Sequence, residues 1–205
     1  MEGNPFLEIH PKKEEKLFGI TPGLIKEYVK KLTVPGTIVI LSGGFGAGKS
    51  VVALKIEKEL KKINKVKLIC SPDLVQGLMN TKKKGKTVVF VEKFYLCLAL
   101  GERSIKRIID TIGEMAGKGF SFLITATPEL AATIPQLSDK LKGVVSFELP
   151  PLSLEDAKRL ISARLGGKLD PFTEDEVRHV WRTSNGNPKM ILLLCASLYD
   201  AKAAR

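Results

Sequence analysis

At 205 residues, 44% of them apolar, the chain is long enough for one substantial core, or for one core with a small appended subdomain. Its formal charge is +11, and lysine far outnumbers arginine. No apolar run approaches a bilayer span and Met1–Phe6 holds no signal-peptide core, so the expectation is a cytoplasmic protein with no membrane segment.

Cys70, Cys97 and Cys195 are odd in number, far apart and free of any Cys-x-x-Cys spacing, which predicts reduced, buried thiols. His10 and His179 are too few for a zinc site. The lysine excess has two readings. It can attract nucleic acid or acidic partners, or it can be the Lys-rich, Gln-poor surface of a thermophile-like composition. The lysines are interspersed with acids and lack interleaved aromatics, so both readings stand.

In chain order, residues 1–36 form a polar lead-in with one predicted helix, Pro22 to Leu32, whose Leu24, Ile25, Tyr28, Val29 and Leu32 share a face. Pro35-Gly36 ends it and launches a β-branched strand over Thr37–Leu41. A glycine-rich turn follows, and then Val51, Val52, Ile56 and Leu60 at helical spacing. Val66–Cys70 is a short strand closed by Ser71-Pro72, and one more helix is predicted around Asp73–Asn80. Thr87–Val91 is a continuous apolar run ending in Glu92, the pattern of a strand buried on both faces of a parallel sheet.

Ile105, Ile108, Ile109, Ile112 and Met115 mark the next helix, which Gly117 and Gly119 break. Phe120–Thr125 is another buried strand, ending at Ala126-Thr127-Pro128, and Val144–Leu149 is the last, stopped by Pro150-Pro151. This alternation predicts an α/β fold with a parallel, doubly wound αβα sheet over residues 1–150. Beyond Pro151 only helices are expected. Ser153-x-x-Asp156 and Thr173-x-x-Glu176 read as capping starts, and Ile191-Leu192-Leu193-Leu194 in the last helix is too apolar to be exposed. Residues 151–205 are therefore a small all-helical lid subdomain.

The turn is where chemistry is legible. Gly43-Gly44-Phe45-Gly46-Ala47-Gly48-Lys49-Ser50 completes the pattern G-x-x-x-x-G-K-[ST] between a strand and a helix. Glycines let successive N–H groups curl around an anion, and the following helix adds its positive N-terminal end, where Val51 lies. Lys49 would reach the β- and γ-phosphates, and the Ser50 hydroxyl would ligate Mg²⁺. No Asn-Lys-x-Asp guanine motif occurs, since Asn64-Lys65-Val66-Lys67 lacks the acid.

Together with Leu123–Leu130, Leu149–Ser153, Ala163-Arg164-Leu165 and Ser184-Asn185-Gly186-Asn187-Pro188-Lys189, this order resembles an AAA+ P-loop ATPase. The branch it is most similar to holds transposition ATP-binding subunits, secretion-associated ATPases and archaeal origin-recognition proteins. The resemblance covers roughly residues 4–202 and implies ATP with Mg²⁺ as ligands, ATP/ADP exchange, self-assembly, and DNA or a protein client as partner. It implies that Gly43–Ser50 is Walker A, Glu92 the Walker B acid, Thr127 sensor 1, Lys140 the arginine-finger position and Lys189 the sensor 2 position. Asn4-Pro5-Phe6 resembles the lead-in that flanks the adenine, and Pro188 precedes sensor 2. Origin relatives carry a winged helix after the lid; the sequence given ends at Arg205, so any DNA contact is expected on the AAA+ body or in an oligomer groove.

The departures are informative. Relatives end Walker B with adjacent acids, whereas here the pair is Glu92-Lys93. A lysine, ordinarily titrating near pH ~10.4, cannot take a proton from water at neutral pH. Either Glu92 takes the Mg²⁺ role with no adjacent base, or Val91 occupies the metal position and Glu92 is the base. Lysines at both arginine positions replace bidentate phosphate grips with point charges. The leading expectation is a slow ATPase whose nucleotide state controls assembly on DNA or a partner. The alternative is a nucleotide-gated binding or loading protein that hydrolyses nothing, with a small-molecule P-loop kinase behind both.

Overall fold

The computed structural model describes residues 4–7, 16–63, 65–70 and 87–204, with 65–70 as backbone alone. The helix expected around Asp73–Asn80 lies outside the described residues. Contacts divide the chain into two units, one of residues 22–45 and 49–149, the other of residues 1–21, 46–48 and 150–205. The lead-in through Thr21 and the tip of the glycine turn thus group with the helices rather than with the sheet.

The sheet unit contains α1 (Pro22–Leu32), β1 (Ile38–Ser42), α2 (Lys49–Leu60), β2 (Lys65–Cys70), β3 (Thr87–Glu92), α3 (Glu102–Gly117), β4 (Ser121–Ala126), α4 (Pro128–Thr133) and β5 (Val144–Glu148). Its five strands are all parallel, in the order β2-β3-β4-β1-β5. All five β1 residues are buried, because the strand lies between β4 and β5 with helices on its faces. Alternation sends Ile38, Ile40, Phe122 and Ile124 to one side, where they pack with Ile108 and Ile112 of α3. On α1, Ile25, Tyr28 and Leu32 are buried, and on α2 Val52, Ala53, Ile56 and Leu60. Gly113 lets the chain at Lys140 approach α3, since a Cβ there would lie 2.7 Å from the Lys140 Cβ.

Short elements escape sequence reading, among them a 3-10 turn at Ile134–Gln136. A 3-10 helix, Phe94–Leu100, follows β3, burying Phe94 and Cys97 while Leu96, Leu98 and Leu100 face outward. Helix α4 has only six residues; Thr127 is its N-cap, with its side-chain oxygen accepting the Leu130 N–H at 3.4 Å.

The helical unit contains α5 (Leu154–Arg164), α6 (Glu174–Ser184) and α7 (Pro188–Ala203) around Leu160, Ile161, Phe172, Val177, Val180 and Ile191. Both predicted caps form. Ser153 accepts the Asp156 N–H, and Thr173 with Glu176 closes a full capping box. The apolar run of α7 is only partly inside: Ile191 and Leu192 are buried, but Leu193 is 42% exposed. Four consecutive residues span a full helical turn, so one of them must face outward.

Truncating the fully buried Phe122 to Ala should lower unfolding free energy by about 3–5 kcal/mol. Thr173→Ala should remove about 1 kcal/mol, and the exposed Arg103→Ala less than about 0.5 kcal/mol, measured by urea titration.

Candidate functional site

The glycine turn leaves β1 at the buried Ser42, whose hydroxyl donates to the Phe147 carbonyl at 3.2 Å, and enters α2 at Lys49. Gly46 and Gly48 have φ of +80° and +92°, a region that costs other residues roughly 1–2 kcal/mol. At Gly46 space also forbids a side chain: a Cβ would lie 2.6 Å from the Lys189 Cβ and 2.8 Å from the Asn187 Oδ1. Gly48 has open space around it, so its requirement is conformational alone.

Lys49 folds back over the turn, its Nζ donating to the Gly43 carbonyl at 2.6 Å and to Gly44 at 2.9 Å. Burial pushes its pKa down. The donor set fits a phosphate chain: a turn of glycine-rich backbone, a helix N-terminus, and one half-buried ammonium whose present partners are neutral carbonyls. Ser50 and Val51 lie in the first turn of α2, Ala47 within the turn itself, and Phe45 at its tip is 74% exposed.

Glu92 ends β3, half-buried, one strand from β1 across β4. Burial pushes its carboxyl up; the Lys93 charge opposes this and Glu57 adds to it. Lys93 then takes a left-handed conformation, φ 55° and ψ 42°. Its N–H donates to the Thr125 hydroxyl oxygen at 2.9 Å, and its carbonyl accepts the Leu96 N–H at 2.9 Å. Thr125, buried in β4, is a residue that sequence reasoning missed; its only advance signal was a hydroxyl inside an apolar strand.

The remaining expected residues have definite surroundings. Lys140 is ion-paired with Glu114 at 2.6 Å, a contact that raises the lysine and lowers the carboxyl, with both groups half exposed. In the helical unit, Asn185 ends α6 in a left-handed conformation and Gly186 lies against Leu152, whose N–H it accepts at 2.8 Å. Asn187 caps α7, Pro188 is its first residue, and the Lys189 N–H donates to the Gly46 carbonyl at 3.3 Å. Phe6 is fully buried in the same unit, its ring against Phe172 and Tyr199. Asn4 ties that lead-in down through the Ala196 carbonyl and the Asp200 carboxylate, at 2.9 and 2.8 Å.

The raised Glu92 carboxyl makes a pH prediction. A carboxyl whose folded pKa exceeds its unfolded value contributes stability below the unfolded pKa and loses it as pH rises through the folded one. Glu92→Gln should therefore raise the thermal midpoint of the nucleotide-free protein at pH 7–8, and that gain should shrink as pH falls toward about 4.5, followed by calorimetry.

No protein-family model matches the chain. A curated 1-deoxy-D-xylulose 5-phosphate reductoisomerase of Desulfitobacterium hafniense (strain Y51) is 32% identical over 109 residues, which is 50% of this chain and 28% of that protein. Solved structures match far more of the fold. The ORC1 protein of Aeropyrum pernix, solved in complex with DNA, superposes with a TM-score of 0.69 at 12% identity, covering 96% of this chain and 64% of that one. A Walker-type ATPase of Pyrococcus abyssi gives 0.65 at 13% identity over 93% and 70% of the two chains. The RuvB Holliday junction branch migration motor of Thermotoga maritima gives 0.55 at 19% identity over 88% and 62%. Five parallel strands in the order β2-β3-β4-β1-β5, a Gly-Lys-Ser turn after the buried β1, and these superpositions converge: the chain has the α/β P-loop fold of these solved structures.

Proposed function

We propose that the chain is an ATP-binding AAA+ module that cleaves ATP slowly and uses its nucleotide state to control assembly on DNA or a partner protein. The observation that carries this reading is the pairing of a complete phosphate turn with a lysine, pinned by Thr125, at the position where a catalytic acid would follow Glu92.

The backbone N–H groups of Gly43–Gly48 would wrap the β-phosphate, and Lys49 would exchange the Gly43 and Gly44 carbonyls for phosphate oxygens. That exchange trades neutral acceptors for anionic ones, adding Coulomb attraction between opposite charges to each bond. Ser50 and Glu92 are the residues that would hold Mg²⁺, which when bound neutralises charge on the β- and γ-oxygens. Val91 is an apolar, buried residue, so placing the metal there would leave the cation without a protein acid. With Glu92 in the metal role the next residue in the chain is Lys93, and an ammonium cannot take a proton from water. Losing a general base slows the chemical step by about 10²–10⁴-fold.

Thr127, occupied as a cap, and Lys140, occupied by Glu114, would each have to change partners to act as sensor 1 and as the finger toward a neighbour's nucleotide. Lys189, whose N–H meets the loop tip, would report the state of that tip to α7. DNA as partner is supported by the +11 charge and by the DNA-bound ORC1 and branch-migrating RuvB structures of the same fold.

The lysine that follows Glu92 in place of an acid also supports a second reading, in which ATP is held as a structural ligand and never cleaved. One set of variants separates the two. Lys49→Ala should weaken ATP binding about 10- to 100-fold by calorimetric titration, and nucleotide affinity untouched by that change would sink both readings. Lys93→Glu should raise phosphate release about 10²-fold or more. A rise from a measurable natural rate supports the slow enzyme, a rise from zero supports the structural ligand, and no rise removes Lys93 from the mechanism.

A further inference from the structure

Helices α1 and α2 pack against each other, and the cleft along them is a groove of about 340 Å³ lined by Lys26, Val29, Lys30, Glu59, Lys62 and Ile63. Its floor is apolar, with Ile63 59% exposed and Val29 half-buried. Its rim is cationic. Lys62 donates to both Glu59 oxygens, at 2.8 and 2.7 Å, and with Lys58 and Lys26 holds that carboxyl below its ordinary range. Neighbouring charges on the same helices are balanced locally, Lys31 by Glu27 and Lys61 by Glu57. Among the described residues lining the groove the balance fails: Glu59 is the one acid against Lys26, Lys30 and Lys62.

We propose that this groove docks an acidic amphipathic segment of a partner protein, its apolar side chain on Val29 and Ile63 and its carboxylates on Lys26 and Lys30. Charge complementarity selects the sign of the partner and the exposed aliphatic floor selects its class. A nucleic-acid backbone would satisfy the lysines but gain nothing from Ile63, and the residues lining the groove include neither an aromatic ring for base stacking nor an arginine for a bidentate phosphate grip. The site lies on the helix pair and the turn that follows α2, and is independent of the nucleotide reading.

The test uses the full chain and fluorescence anisotropy with three labelled probes: a helical peptide carrying Leu and Glu at alternating three- and four-residue spacing, the same peptide with Ser for Leu, and a short DNA duplex. The Leu-Glu peptide should bind, the Ser peptide about tenfold more weakly. Lys26→Glu with Lys30→Glu should weaken the Leu-Glu peptide about tenfold or more, and Ile63→Ser several-fold, with circular dichroism and ATP affinity unchanged. Should the double variant fail to fold, Lys30→Gln alone, with a loss of about threefold, gives the same readout. The proposal is overturned if the peptide does not bind, or if neither the lysine variant nor Ile63→Ser weakens it. It is equally overturned if the duplex binds more tightly than the peptide, depends on Lys26 and Lys30, and ignores Ile63→Ser; the groove is then a phosphate surface.

Discussion

The structure depends on the burial of β1. Held between β4 and β5 with all five residues inside, Ile38–Ser42 cannot shift register without moving two neighbouring strands, and a one-residue slip would turn its pattern over. The chain then leaves β1 at Ser42 and begins α2 at Lys49, with Gly43–Gly48 between them. Only positive φ at Gly46 and Gly48 permits that path. The Lys49 ammonium, bent onto the Gly43 and Gly44 carbonyls, ties the start of the turn to the start of α2.

A second constraint acts one strand away from β4 on its other side. At the end of β3 the chain turns through a left-handed Lys93, a conformation that costs a lysine roughly 1–2 kcal/mol. The Thr125 hydroxyl offsets part of that by accepting the Lys93 N–H. Glu92 is held half-buried beside it, and burial raises its carboxyl. The end of β3 and the turn after Glu92 are thus tied to β4 through one backbone hydrogen bond.

Much of this was legible in the residues because the relevant signals are local. The buried strands announced themselves as β-branched runs, and β1, β3, β4 and β5 fall within a residue of their expected ends. Helix α1 matches its expected Pro22–Leu32, and the Ser153 and Thr173 caps form as their spacing implies. What escaped was set by tertiary context. The 3-10 helix Phe94–Leu100 has too few residues to show a period, and α4 is shorter than two turns. In the sequence Thr125 is one more strand residue, and only the fold brings the Lys93 N–H against its hydroxyl. The burial of Phe6 under Phe172 and Tyr199, and the grouping of the lead-in with the helices, rest on contacts more than 160 residues apart that no local pattern carries.

The central claim is that the chain holds a nucleoside triphosphate and barely cleaves it. It is tested most directly by a single-turnover measurement, with γ-labelled ATP and Mg²⁺ under an excess of the natural chain and label followed as free phosphate. The account predicts that ATP binds and then persists intact, with cleavage slower than about 0.01 s⁻¹ against the ~1–10³ s⁻¹ usual for enzymes. Cleavage at about 1 s⁻¹ or faster would contradict it, because a working base would then exist despite Lys93.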